Sequence, residues 1–157
     1  MKLTNATEQA IAILAILATQ QEEIPASSEA IYRKLSVSQS YVKKLLRKLV
    51  VSKIIEGVSG NNGGFYIEKE LKDISLIEVV EAIEGEFHSF PHVGVLERAF
   101  SDYTEIAQDG NNVITSVFVK ADNAWKEELK QVSVQDLLLE VFREYGEIPR
   151  RNWNEYC

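Results

Sequence analysis

SQSYVKKLLRKLVVSK, residues 38–53, is followed almost at once by GVSGNNGGFYI, residues 57–67, and these two stretches decide the fold. The first carries five basic residues and no acid, in a chain of formal net charge -7. Its apolar residues Tyr41, Val42, Leu45, Leu46 and Leu49 recur at helical spacing and cluster on one face, with Lys43, Lys44, Arg47 and Lys48 on the other. Ser38 stands where a helix N-cap belongs. In the second stretch, IIEGVS and GFYIEK are β-prone runs joined by GNNG, a hairpin signal.

Working outward, SerValSer at 36–38 makes a tight connection to a shorter helix capped at Ser27 or Ser28, with Ile31 and Leu35 as an apolar pair. Before it, Ala6, Ala10, Ile13, Leu14 and Leu17 predict a helix over 5–20, with Thr4 or Asn5 as cap, broken by QQEEIPASS. After the hairpin, ISLIEVVEAIEG predicts a helix capped at Ser75 and closed by Gly85. Three helices, a hairpin and a helix make a winged helix-turn-helix. The expected class is therefore mainly α with a small β-hairpin wing, over residues 1–86.

A helix that enters the DNA major groove needs an apolar docking face, polar residues at its first turn and cations along its sides. Ser38, Gln39 and Ser40 open this helix, and Gln can bond adenine bidentately. Lys43, Lys44, Arg47 and Lys48 are assigned to phosphates, with Arg47 able to reach a guanine. Tyr41 is expected to pack on the preceding helix, its hydroxyl toward a phosphate. In the wing, Asn61, Asn62, Gly63 and Gly64 permit positive φ and leave backbone bare for a sugar-phosphate contact.

Charge supports this placement. Residues 1–73 hold ten Lys/Arg against eight Asp/Glu, and residues 74–157 hold seven against sixteen. The acidic average conceals a basic patch, because a phosphate responds to local potential.

Residues 87–157 read as a helical dimerisation and effector region. FHSFPHVG is a loop, and residues 95–107 read as one helix ended by QDGNN. A longer helix, opened by Asn112 or Thr115, carries Val113, Ile114, Val117, Phe118, Ala121, Trp125 and Leu129 at helical spacing. Such a stripe suits a second copy of the chain or packing within one chain. VSVQDLLLEVFREYG is a last helix, with Ser133 and Asp136 as a capping box.

The apolar run at 10–18 follows Glu8 and Gln9 and leads to no cleavage-like site, so it reads as a buried helix rather than a signal or span. The lone cysteine, Cys157, forms no intramolecular disulfide, which fits a cytoplasmic protein. It stands on a terminus expected to be mobile. No nucleotide loop, metal triad or Ser/His/Asp grouping points to an enzyme. The alternative function is a winged-helix adaptor whose basic face binds an acidic protein.

MKLT at the start, VSQSYVKKLLRKLVVSKII, GNNGGFYI, ISLIEVVEAIEG and AWKEELKQVSVQDLL together resemble the Rrf-two family of winged-helix transcription regulators. The resemblance implies a homodimer, by habit a repressor, on a near-palindromic stretch of double-stranded DNA. Many members hold an iron–sulfur cluster on three cysteines after the EIEG-like sequence. Here that region, EFHSFPHVGVLERAFSDYTE, has none. His88 and His92 favour surface or capping roles over metal binding. The chain is thus similar to the cluster-free branch, with no cofactor expected and an effector, small molecule or protein, left open. Lys53 replaces a glycine common at the end of the recognition helix, and Tyr32 a small alanine.

Overall fold

The computed structural model describes residues 2–156; Cys157, and with it any redox role for that thiol, lies outside the described residues. Helix α1 (Asn5–Ala18) starts where the Thr4 side chain accepts from the amide of Ala6. It buries Ala10, Ile13, Leu14 and Leu17 against α4 (Leu76–Glu84) and the helix-turn-helix. Each fully buried aliphatic side chain of this kind contributes roughly 1.5–3 kcal/mol.

Helix α2 (Ser28–Leu35) is capped by Ser27, whose hydroxyl accepts from Ala30 at 3.1 Å. It ends at Ser36 in the left-handed conformation, where the amides of Ser36 and Val37 bond back to the carbonyls of Arg33 and Tyr32. That Schellman closure reverses the chain within two residues. Ser38 then caps α3 (Gln39–Val51), accepting from Tyr41 at 3.4 Å. Val42, Leu45, Leu46 and Leu49 are buried, as the periodicity predicted, and Tyr41 packs half-buried against the core.

Helix α3 closes in the same way, with one difference in chemistry. The amide of Ile54 bonds Leu49 O at 3.0 Å and that of Lys53 bonds Val50 O at 2.9 Å. Lys53 therefore occupies the left-handed position, at φ 56°, that glycine normally fills. Ile54 and Leu49, both buried, complete the motif's apolar contact.

The hairpin pairs β1 (Glu56–Val58) with β2 (Gly64–Tyr66) antiparallel, in the register Glu56↔Tyr66, Gly57↔Phe65 and Val58↔Gly64. Ala26, in the α1–α2 loop, extends it, exchanging hydrogen bonds of 3.0 and 2.9 Å with Phe65. Helix α4 has a full capping box between Ser75 and Glu78 and ends at Gly85, as expected.

The second half departs from the sequence reading. Residues 95–107 are not one helix: α5 spans only Val95–Ala99, and a 3-10 turn at Ser101–Tyr103 follows. Helix α6 then runs unbroken over Thr104–Lys130, straight through QDGNN. One interior glycine costs about 1 kcal/mol, too little to stop a helix of 27 residues anchored on both sides. Ala107 and Asn111, flanking Gly110, are both buried.

Helix α7 (Val134–Val141) has the expected Ser133–Asp136 capping box. It sits on the first half of the chain, not apart from it. Leu76 N bonds Val132 O at 2.8 Å, Val134 N bonds Ile74 O at 2.9 Å, and Val134 and Leu138 join the one core cluster. The segment after Gly146 also returns to that core, through Ile148 and Trp153. The division expected at residue 87 is therefore crossed by the last quarter of the chain. No helix among the described residues is long and apolar enough to cross a membrane.

Candidate nucleic-acid interface

Helix α3 presents Ser38, Gln39, Ser40, Lys43, Lys44 and Arg47 to solvent on the face opposite its buried residues. Gln39 and Ser40 stand in the first turn, where backbone N–H groups and the helix dipole favour an anion or an acceptor edge. The hydroxyls of Ser38 and Ser40 lie 3.3 Å apart. The three cations follow over the next two turns, so a groove-bound helix would carry its readers at the tip and its phosphate anchors behind.

Lys48 does not belong with them. Its ammonium donates to the carbonyl oxygen of Ile83 in the last turn of α4, beside Glu84. A cation at a helix C-terminus satisfies an orphan carbonyl and the negative end of the dipole. Lys48 thus ties α3 to α4, and the phosphate role assigned from helical spacing gives way to a structural one.

The wing divides by chemistry. Asn61 and Asn62 are exposed at its tip, with Gly60 at φ 116° supplying the left-handed turn residue. Gly63 and Gly64 have ordinary φ and serve close packing instead. A Cβ on Gly63 would stand 2.2 Å from Val58 O, and one on Gly64 would stand 2.4 Å from Ala26 O. Gly64 is buried. These two glycines let the hairpin close and dock on the α1–α2 loop, a reason the sequence reading did not identify.

The wing strands are acidic. The Tyr66 hydroxyl donates to Glu56 at 2.8 Å, which holds the Glu56 carboxyl below its ordinary range and pushes the phenol up. Glu68 is raised by the neighbouring Glu56 carboxylate. That cluster repels phosphates, and the exposed Ser59–Asn62 tip carries no acidic side chain.

On α6 the apolar stripe splits in two. Phe118 stacks on Phe90 with centroids 4.9 Å apart, and Trp125 meets Phe87 edge-on at 5.3 Å. Asp122, buried between them, accepts from the amide of Ser89 at 2.9 Å, and the Ser89 hydroxyl together with that amide holds its carboxyl below the usual range. Lys126 pairs with Glu81 of α4 at 3.3 Å. Phe118, Trp125 and half-buried Ile114 and Leu129 therefore have packing available within the chain. Val113 and Val117 are 64% and 60% exposed, Ala121 is exposed, and Ile106, which lies outside the expected stripe, is 69% exposed.

His92 pairs with Glu97 at 2.8 Å and His88 with Glu86 at 3.6 Å, both at the surface. No group of three His, Cys, Asp or Glu among the described residues could hold a metal ion.

Residues 3–140 match the family described as "Rrf2: Iron-dependent Transcriptional regulator". The chain is 32% identical over 138 residues to YwgB of Bacillus subtilis, named as an HTH-type transcriptional regulator, covering 88% of this chain and 85% of that one. It is 35% identical over 146 residues to YffB of Lactococcus lactis, named likewise, covering 93% and 92%. Among solved structures, CymR, the global cysteine regulator of B. subtilis, superposes with a TM-score of 0.64 at 20% identity, covering 87% of this chain and 95% of that one. T. potens IscR gives 0.60 at 21% identity, covering 90% and 88%. The chain belongs to the Rrf2 family and is a DNA-binding transcriptional regulator, not an enzyme. Its residues do not fit an iron–sulfur centre, which needs several soft thiolate donors; the chain has one cysteine, and it is residue 157.

Proposed function

We propose that this regulator is a sequence-specific repressor that works as a homodimer on a near-palindromic operator. The observation that carries the reading is a pairing of faces. Helix α3 exposes Gln39, Ser40, Lys43, Lys44 and Arg47, and α6 exposes the apolar row Ile106, Val113 and Val117. A solvated apolar row of that size on a helix otherwise engaged with its own chain suits a second copy laid against it. One winged helix covers a half-site, so a two-fold dimer reads two.

In this reading Gln39 and Ser40 contact base edges, Lys43, Lys44 and Arg47 anchor phosphates, and Asn61 and Asn62 reach the backbone or minor groove from the wing. Repression follows the family's common habit and steric exclusion at a promoter. Selection of bound duplexes from a random-sequence pool, with light scattering on the same sample, tests the proposal. A mass of about twice 17.8 kDa and an inverted-repeat consensus are expected. A monomer, or no enriched sequence, would overturn it.

A further inference from the structure

The family match ends at residue 140, yet the chain continues to 157 and folds back along the start of the helix-turn-helix. Arg151 bridges Gln20, its amide donating to Thr19 O and its carbonyl accepting from Gln21 N, both at 2.9 Å. The Trp153 indole N–H donates to Thr19 Oγ1 at 3.0 Å, and Trp153 N donates to Gln20 Oε1 at 2.9 Å. Gln20 and Thr19 are themselves buried.

Asn154 is the end point of this run. Its side-chain oxygen accepts from Ser27 N at 2.9 Å, and its side-chain nitrogen donates to Pro25 O at 3.0 Å. The residue between those two partners is Ala26, which carries the wing through its double hydrogen bond to Phe65. Ser27 is the N-cap of α2, the helix from which α3 hangs. One amide therefore grips the chain on both sides of the point where the wing and the helix-turn-helix meet.

We infer that Asn154, seated by Trp153, is a positioning residue for DNA recognition, setting the offset between the wing tip and the recognition helix. It touches no DNA itself. An offset error of an ångström or so leaves phosphate attraction nearly intact but spoils directional hydrogen bonds to bases. The clip should therefore govern discrimination between sequences more than total affinity. The inference rests on the sequence-specific DNA reading above.

The test uses the full-length chain and two probes: a duplex enriched from a random pool by the wild type, and a scrambled duplex of equal length. Wild type, Asn154→Ala and Asn154→Asp are compared for affinity at several salt concentrations, with melting recorded for each. Asn154→Ala should lower affinity for the enriched duplex about five- to tenfold, leaving the scrambled duplex and the salt slope unchanged. Asn154→Asp keeps the acceptor for Ser27 N and should recover part of the loss. A wild type without sequence preference defeats the DNA reading itself. A preferring wild type whose preference survives Asn154→Ala within twofold, or a variant that loses both probes equally, overturns the clip alone.

Discussion

One oxygen of Glu84, at the C-terminal end of α4, accepts from Thr7 Oγ1 of α1 at 2.5 Å. The same oxygen accepts from the amide and hydroxyl of Thr4 at 2.9 and 2.7 Å. A carboxylate at a helix C-terminus opposes the dipole. Here it is retained because it satisfies the first turn of α1 while Lys48, docked on Ile83 O, supplies compensating charge. Partial burial pulls the Glu84 carboxyl upward, but the bonds from Thr7 and Thr4 and the nearby Lys48 outweigh it and hold it below the ordinary value.

A carboxyl lowered in the folded state adds stability that is present above its unfolded value and lost as pH falls through its folded one. Glu84→Gln should lose about 1 kcal/mol at neutral pH. The difference from wild type should shrink as pH drops below the ordinary carboxylate range. Urea unfolding at pH 7 and near pH 3 checks both; a difference that grows on acidification would contradict the sign.

Lys53→Gly should stabilise the protein by about 0.5–1 kcal/mol, since it removes a side chain from a left-handed position. The denaturant midpoint should rise without a change in slope. Ile54→Ala, by contrast, removes the buried partner of Leu49 and should cost about 2–4 kcal/mol.

Alanine at Lys43, Lys44 or Arg47 should weaken all DNA sequences alike and flatten the salt dependence by about one unit each. Gln39→Ala should relax preference at one or two base positions, at about 1–3 kcal/mol. Lys48→Ala should behave differently from its neighbours, lowering the melting temperature and leaving the salt slope unchanged. Titrations at three salt concentrations, paired with thermal melts, separate these groups.

Charging Val113 and Val117 together to Asp should give a folded monomer with weakened DNA binding, because both side chains are solvated within the single chain. Trp125→Ala should instead lower stability by about 3 kcal/mol through its contact with Phe87, and Phe118→Ala, whose ring is 39% exposed, by about 1 kcal/mol through its stacking on Phe90. Light scattering and circular dichroism on the same samples distinguish lost association from lost fold.

Protein purified without oxygen should be colourless and should bind its operator without iron, because one thiol cannot hold a cluster. A visible charge-transfer band that scales with bound iron and sulfide, and vanishes in Cys157→Ser, would contradict this.

Local chemistry made much of the fold readable. Ser27, Ser38, Ser75 and Ser133 each cap the helix they precede, and GNNG turns the hairpin. What escaped was set by distant partners. Gly110 and its polar neighbours look like a breaker until the anchoring on either side is known. Lys48 shares the spacing of three exposed cations, and only the arrival of Ile83 O from α4 distinguishes it. Gly63 and Gly64 suggest left-handed turns, whereas Val58 O and Ala26 O explain them. RNWNEY offered one unused signal: a tryptophan set among asparagines at a chain end has hydrogen-bonding capacity that a solvated tail does not need.

Helix α6, at 27 residues, is a rod about 40 Å long, and its continuity through Gly110 has a metrical consequence. If two such rods cross in the dimer, the point of crossing sets how far apart the two recognition helices stand. Sliding that point by one turn shifts a protomer by about 5.4 Å, more than the roughly 3.4 Å between base pairs. Ile106, Val113 and Val117 would then act as a ruler: substitutions that move the crossing without breaking it should alter the preferred gap between half-sites while leaving the half-site sequence unchanged.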